Sequence, residues 1–536
     1  MGMVSIPSAL PARESSPLVS RAVDALRAGG VAEAEQILRG HLVSSPRDVA
    51  ALAKLAEVVA IRGRPGESMQ LLRRLVALAP EAHEARISLA RHLLEQGDPH
   101  AALVHVHALP VAMRSTFDVG AFEAALLGIL GDHGPEITIY ERLVAERPAH
   151  AELWASFGNA LKYAGRADEA LAAFRKALKL RTGYGEGWWN LANLKSVRFS
   201  ERDLAAMRKA LAGRPADVDA LHLHFALGKA LEERKQYAQS FVHFDAGNRI
   251  RASQFAPGVM SAQRVIDEQL ALFDAEVTSR IGTVGHLSEE PIFVVGLQRA
   301  GSTLVEQILA SHPQIEGTSE LLAMQQLWLG CVQDAAGRGR SLREHLLAMS
   351  PADFEKIGAD YLERTRAFRH SGKPRFVDKL PANWMQTGFI RLVLPNARIV
   401  DARRHPMACG FSNFTQHYAT GVAFAYSQES IARFYQDYLR LMKHFLGMQP
   451  GAVHLAINEA LIEDTEAEVR RLLDFVGVPF DPACLAFHRN RRSVNTPSAE
   501  QVRRPINRDG MEHWRHYEEW LGPLKNALGP ALETWR

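Results

Sequence analysis

Apolar residues recur at helical spacing through the first half of the chain, and glycine interrupts them at a fixed step: Gly29, Gly63, Gly97, Gly131 and Gly165 stand 34 residues apart. An amphipathic stretch, a glycine and a second amphipathic stretch make a helical hairpin, which at a constant step buries its apolar face against its neighbours. Five positions after each glycine come Ala34, Ser68, Ala102, Glu136 and Ala170, so four of five offer the small residue that close helix contact needs. Pro46, Pro80, Pro148 and Pro215 are expected to end helices at near multiples of the same step. The clearest unit runs from Ala151, with Trp154, Leu161 and Tyr163 before its turn and Ala170, Phe174 and Leu178 after it. From 183 to 250 the spacing loosens. WWNLANL at 188–194 still reads as helix, and the amphipathic stretch 221–251 is expected to cap the array.

The pattern changes at residue 291. In PIFVVGLQRAGSTLVEQIL, residues 291–309, a short β-branched run around Val294 and Val295 reads as a buried strand. A polar loop follows, then a helix opening near Ser302 or Thr303 with Leu304, Ile308 and Leu309 on one face. Further strands are expected near 375–378, 397–402 and 452–457, so residues 289–536 read as one α/β domain with a central parallel sheet.

A helix start presents unpaired N–H groups and a positive dipole end, so this strand–loop–helix suits an anion with several oxygens. Gly296 and Gly301 have the spacing of a nucleoside-triphosphatase loop, yet no lysine follows Gly301 and the loop's one cation is Arg299. Such a loop holds phosphate but lacks the point charge that ATP hydrolysis requires.

LQRAGSTLVEQIL and the following ASHPQIEGTSEL resemble the 5′-phosphosulfate loop, PRSGTTL, of sulfotransferases that use 3′-phosphoadenylyl sulfate (PAPS). Gln298, Ala300 and Ser302 depart from that form. The resemblance implies donor binding by Arg299, Ala300, Gly301, Ser302 and Thr303, with the hydroxyl lost at Ala300 leaving the backbone donors. RIVDARRHPMACGFSNF, residues 398–414, resembles the family's 3′-phosphate segment, in which an arginine precedes a serine by eight positions, as Arg404 precedes Ser412. His405 stands where the family usually has aspartate. Two phosphate sites on successive strand–helix units fit one nucleotide phosphorylated at both ends.

The tyrosylprotein-sulfotransferase branch also implies a catalytic set. Glu320, in GTSE, corresponds to the general base. Lys379, in RFVDKLPANW, corresponds to the lysine beside the bridging oxygen, and Ser498, in NTPSAEQVRRPIN, to a second donor to that oxygen. Each has a plainer reading: Glu320 as a helix N-terminal carboxylate, Asp378–Lys379 as a surface ion pair, and Ser498 as a helix cap. His312 is expected to pack at the turn before Pro313, and the basic run at 489–494 to be a solvated face. Asn458 takes the place of an aromatic contact to the nucleotide.

The 34-residue interval resembles the tetratricopeptide period, which implies a solenoid whose inner face takes a peptide or protein partner. The expected organisation is a disordered N-terminus (1–14), an all-α tetratricopeptide solenoid (15–255), a linker (256–288) and a P-loop-like sulfotransferase domain (289–536). The expected function is sulfuryl transfer from PAPS to a hydroxyl, with a peptide tyrosine favoured over saccharides, lipids and small phenols. A nucleotide-dependent phosphotransferase and a non-catalytic repeat scaffold with a decayed nucleotide site are the alternatives.

Composition narrows the setting. With 63 basic against 60 acidic residues and a net charge of +3, the chain has no broad basic footprint for nucleic acid. Cys331, Cys409 and Cys484 suggest neither a disulfide framework nor a metal site; the resemblance implies PAPS as donor, with arginines and backbone amides supplying the counter-charge so that no metal is expected. No segment reads as a membrane span or signal peptide, and a cytoplasmic protein of the kind found in bacteria is expected. An oligomer is compatible with this sequence.

Overall fold

The computed structural model describes residues 16–536 apart from 195–196, 257–261, 419–421, 491, 493, 495, 497–500 and 509. The stretch expected to be a disordered N-terminus, 1–14, lies outside the described residues. The chain divides into two compact units, 1–148 and 149–536.

The first unit is built of helical hairpins. Pro17–Arg27 pairs with Val31–Ser44, Val49–Ile61 with Pro65–Leu78, His83–Glu95 with Pro99–His107, and Phe117–Leu130 with His133–Glu146. The recurrent glycines sit at the turns with φ between 73° and 82° (Gly29, Gly63, Gly97, Gly131), a left-handed conformation that costs other residues energy. Ala34, Ser68 and Ala102 are buried where the paired helices meet. Glu136, the exception to the small-residue rule, is accommodated by its partner helix. A Cβ at Gly128 would lie 2.6 Å from the Glu136 carboxylate, and His133 Nδ1 bonds that carboxylate at 2.6 Å.

The second unit opens with the hairpin Ala151–Tyr163 and Ala167–Leu180, turned at Gly165 with φ 81°. Gly185–Ala192, Glu201–Ala212 and the hairpin Asp217–Glu233 with Tyr237–Ala252 continue the array. Phe244 and Phe225 fill it because Gly228 and Gly247 leave room for their rings. Part of the stretch read as a linker, 256–288, is helical (Gln263–Leu272, Ala275–Thr278) and packs into this unit. Phe273 is buried against Gly388 and Phe445, and His286 N–H bonds Val393 O at 2.9 Å.

Five parallel strands follow: β1 Pro291–Gly296, β2 Ile315–Gly317, β3 Arg375–Asp378, β4 Arg398–Arg403 and β5 Val453–Ile457, in the order β2-β3-β1-β4-β5. Four coincide with the expected strands to within a residue. The three-residue β2, too short to carry a periodic signal, was not expected. Val294 lies opposite Val400, and Ile292, Val294, Val377 and Val400 are fully buried, as a sheet covered on both faces requires. From β1 the chain crosses to β2 and β3 on one side, while β4 and β5 lie on the other. A crevice is therefore expected at the carboxyl ends of β1 and β4.

Candidate functional site

A cleft of about 470 Å³ opens at those carboxyl ends, within the roughly 300–1,000 Å³ of small-molecule sites. Its floor is the loop after β1. Gly301 adopts φ 100° and begins the helix Ser302–Ala310, which no described side chain caps, so Gly301, Ser302 and Thr303 present an open helix start to the cleft. The closeness of Asn458 fixes glycine there, because a Cβ at Gly301 would lie 2.6 Å from Asn458 Oδ1. Arg299 also lines the cleft, with φ 67°. Ala300 is buried, does not line the cleft, and donates its N–H to Leu297 O at 3.2 Å.

β4 delivers the second cation. Arg404 enters the cleft and donates Nη1 to Arg299 O at 3.2 Å and Nη2 to Gly510 O, while its Nε is buried without a partner among the described residues. Burial chiefly, with Arg299 adding, lowers its pKa. Ser412, one helix on, accepts from Arg299 Nε at 2.9 Å. Of the residues expected at the two phosphate sites, Arg299, Gly301, Ser302, Thr303 and Arg404 thus line one crevice, Ser412 is tied to it through Arg299, and Ala300 lies behind it.

His405 sits at the start of the helix Pro406–Phe414, where its Nδ1 accepts from Met407 N–H at 3.3 Å. Its ring stacks on Trp514 at 5.9 Å, and burial lowers its pKa, which keeps that nitrogen an acceptor, the capping role an aspartate would fill. Arg403 points elsewhere. It is buried between Asp401 Oδ2 (2.5 Å), Tyr438 OH (3.1 Å) and Trp535 O (2.8 Å).

Asp378 ends β3, Lys379 follows it, and both are buried, so the surface ion-pair reading is overturned. Asp378 accepts from Tyr361 OH at 2.8 Å, and burial pushes its carboxyl up to about 7. Lys379 Nζ instead reaches Glu320 Oε1 at 2.5 Å, joining two of the expected catalytic residues in the cleft. Glu320 is half exposed. Ser498 lies outside the described residues. His312 is buried in the expected turn, bonded to Pro479 O at 2.9 Å and Gln314 N–H at 3.1 Å.

Other cleft residues escaped the sequence reading. Tyr418, whose OH donates to Asn413 Oδ1 at 2.7 Å, and Arg504 line it without any spacing that marks them. The solvated-face reading of 489–494 fails at Arg492, whose guanidinium lies 2.6 Å from buried Glu306 and donates Nε to Gln307 Oε1 at 2.8 Å. No group of metal-ligating side chains occurs among the described residues, and none of the described helices is long and apolar enough to cross a membrane.

Residues 291–482 match the sulfotransferase family. This segment is a sulfotransferase-family domain. An uncharacterised protein of Aquifex aeolicus (strain VF5) is 31% identical over 310 residues, covering 57% of this chain and 41% of that protein. A protein-tyrosine sulfotransferase of Drosophila melanogaster is 21% identical over 240 residues, covering 42% of this chain and 46% of that protein. The chain spans less than half the length of either relative. A crystal structure of MamA aligns with 30% of this chain and 94% of its own, at 22% identity and a TM-score of 0.28. In the sulfotransferase domain, the matched segment contains Arg299, Arg404 and the Glu320–Lys379 pair, while Arg504 lies beyond it.

Proposed function

We propose that the chain transfers a sulfuryl group from PAPS to a hydroxyl acceptor, within a sulfotransferase domain spanning 289–536. The observation that carries this reading is the convergence of Arg299, Arg404 and the Lys379–Glu320 pair on one cleft at the ends of adjacent parallel strands. The residues fit the donor. The buried Nε of Arg404, without a partner among the described residues, and the Arg299–Ser412 pair suit a terminal phosphate, and the helix start at Gly301–Thr303, which no described side chain caps, suits the other end. Ala300 would contribute shape rather than a donor, since its N–H is already engaged.

The donor supplies a sulfuryl group on a phosphosulfate anhydride. Glu320 takes the acceptor's hydroxyl proton as the new O–S bond forms, and Lys379 stabilises the negative charge left on phosphate as the anhydride S–O bond breaks. The products are a sulfate ester and 3′,5′-adenosine bisphosphate. Ser498 is assigned a second hydrogen bond to the leaving oxygen by the family resemblance alone. The arginines and backbone amides provide counter-charge without a metal.

A peptide tyrosine is the favoured acceptor, supported by the name of the Drosophila relative and by helical repeats of a kind suited to binding a peptide. The repeats would recruit that substrate or a separate partner.

Calorimetry with 3′,5′-adenosine bisphosphate and with magnesium–ATP tests the donor class. Binding of the former and not the latter is expected. Arg404→Ala should weaken that binding by about 1.5–3 kcal/mol, the worth of charged hydrogen bonds. Glu320→Gln should leave binding intact and slow turnover by about 10²–10⁴. A fully active Glu320→Gln enzyme would remove Glu320 as the base, and binding of ATP alone would favour a phosphotransferase.

A further inference from the structure

We infer that Glu306 is a positioning residue that holds the Lys379 ammonium between the base and the leaving group, an inference that rests on the sulfuryl-transfer reading. Glu306 lies on the helix Ser302–Ala310 and is 2% exposed, between neighbours that fill the core beneath the sheet. A carboxylate there is costly unless charge compensates it. Compensation comes from two sides. Glu306 Oε1 is 2.6 Å from an Arg492 Nη, and Glu306 Oε2 is 3.9 Å from Lys379 Nζ. Arg492 is itself held by Gln307 Oε1 at 2.8 Å and Thr318 O at 3.2 Å. The result is a row of alternating charge, Arg492, Glu306, Lys379 and Glu320, running from the buried side of the cradle helix into the cleft.

The unequal distances give the row its purpose. Lys379 Nζ sits 2.5 Å from Glu320 Oε1, so the ammonium that should face the leaving oxygen faces the base instead. To reach that oxygen Lys379 must turn away from Glu320, yet at 1% exposure it cannot turn to water. Glu306 is the second carboxylate within reach. Because Arg492 already engages it, and because 3.9 Å exceeds a hydrogen bond, it compensates the ammonium without locking it. Lys379 is then free to turn toward the oxygen on which charge develops.

The test is a double-mutant cycle on the full chain, with kcat and bisphosphate affinity measured separately. Glu306→Gln should lower kcat roughly tenfold to a hundredfold, the scale of a misplaced catalytic group, with bisphosphate affinity unchanged. In a Lys379→Met background the same substitution should cost nothing further, because its effect passes through the lysine. Arg492→Lys, which keeps the charge and shortens the fork, should give a smaller loss with the same non-additivity. A Glu306→Gln enzyme as fast as wild type, or an equal loss with and without Lys379, overturns the inference and leaves sulfuryl transfer standing. Failure of the wild-type chain to transfer sulfuryl, or full activity of Lys379→Met, overturns the reading beneath it and this inference with it. If Glu306→Gln fails to bind the bisphosphate, Glu306 supports the fold rather than Lys379, and the inference falls.

Discussion

Single residues in the cleft owe their identity to a neighbour that is distant in sequence. Gly301 is the clearest case: its φ of 100° is disfavoured for other residues, and Asn458 occupies the space a Cβ would need. Gly301→Ala is expected to cost about 1–3 kcal/mol in a denaturant melt, the scale of a residue forced into the left-handed region. Adding Asn458→Ala should recover the steric part and leave the backbone part. Asn458 was legible as a departure from an aromatic, but its packing on Gly301 was not, because 157 positions separate them. Lys379 and Glu320 were legible through their resemblance to a known enzyme branch. The 2.5 Å ion pair that joins them was not. Glu306 gave no signal at all, since a glutamate on an amphipathic helix reads as a solvated position until the opposite side is known to hold Arg492.

Among the elements, the helical hairpins were the most legible, because their period is written in glycine and small residues. The surrounding charge was not. Glu35, on the helix Val31–Ser44, faces Arg39, Arg62 and Arg64, and the Arg64 hydrogen bond foremost holds its carboxyl down to about 2. A depressed carboxyl pKa stabilises the fold fully above its ordinary value of 4.5, and that contribution is lost as pH falls from there through 2. Thermal melts of the full chain should therefore show the repeat transition falling over that window, and Glu35→Gln should flatten the fall. A Glu35→Gln protein with an unchanged acid profile would mean that other carboxylates govern it. The strands of four to six residues were legible because each is built on a short apolar run. The three residues of β2 were placed only by pairing with β3.

In the whole molecule, the second unit joins repeat helices to the sulfotransferase domain through a polar and aromatic contact. Tyr517 OH bonds both Ser240 Oγ and Glu232 Oε1 at 2.9 Å, His513 Nε2 adds a bond to Glu232 at 2.8 Å, and Asn248 Nδ2 donates to Phe414 O at 2.9 Å. Phe241 stacks on Phe414 and Trp520 at 5.6 and 5.8 Å. The helix that ends at Phe414 also carries Ser412, so the repeat hairpin braces one wall of the proposed donor site. Tyr517→Phe should destabilise the second unit by about 1–3 kcal/mol, because it removes a buried hydroxyl bonded to Ser240 Oγ and weakens the hold on Glu232. Hydrogen exchange should show the loss at Pro406–Phe414 as well as at Tyr237–Ala252. An effect confined to the repeat side would mean that the contact does not brace the domain.

The sequence by itself determined the local grammar of this protein: hairpins at a 34-residue step, the main strands, an anion-suited loop without a P-loop lysine, and two arginines a hundred positions apart. These are short-range features, fixed by backbone preference, side-chain period and helix-start chemistry. Only the tertiary structure decided which charges meet. The parallel sheet brought the ends of β1, β3 and β4 together, which turned Arg404 toward Arg299, Lys379 toward Glu320 and Glu306, and Arg403 away into the core. Such pairings depend on strand order and join segments 59 to 105 residues apart, so no local pattern along the chain encodes them.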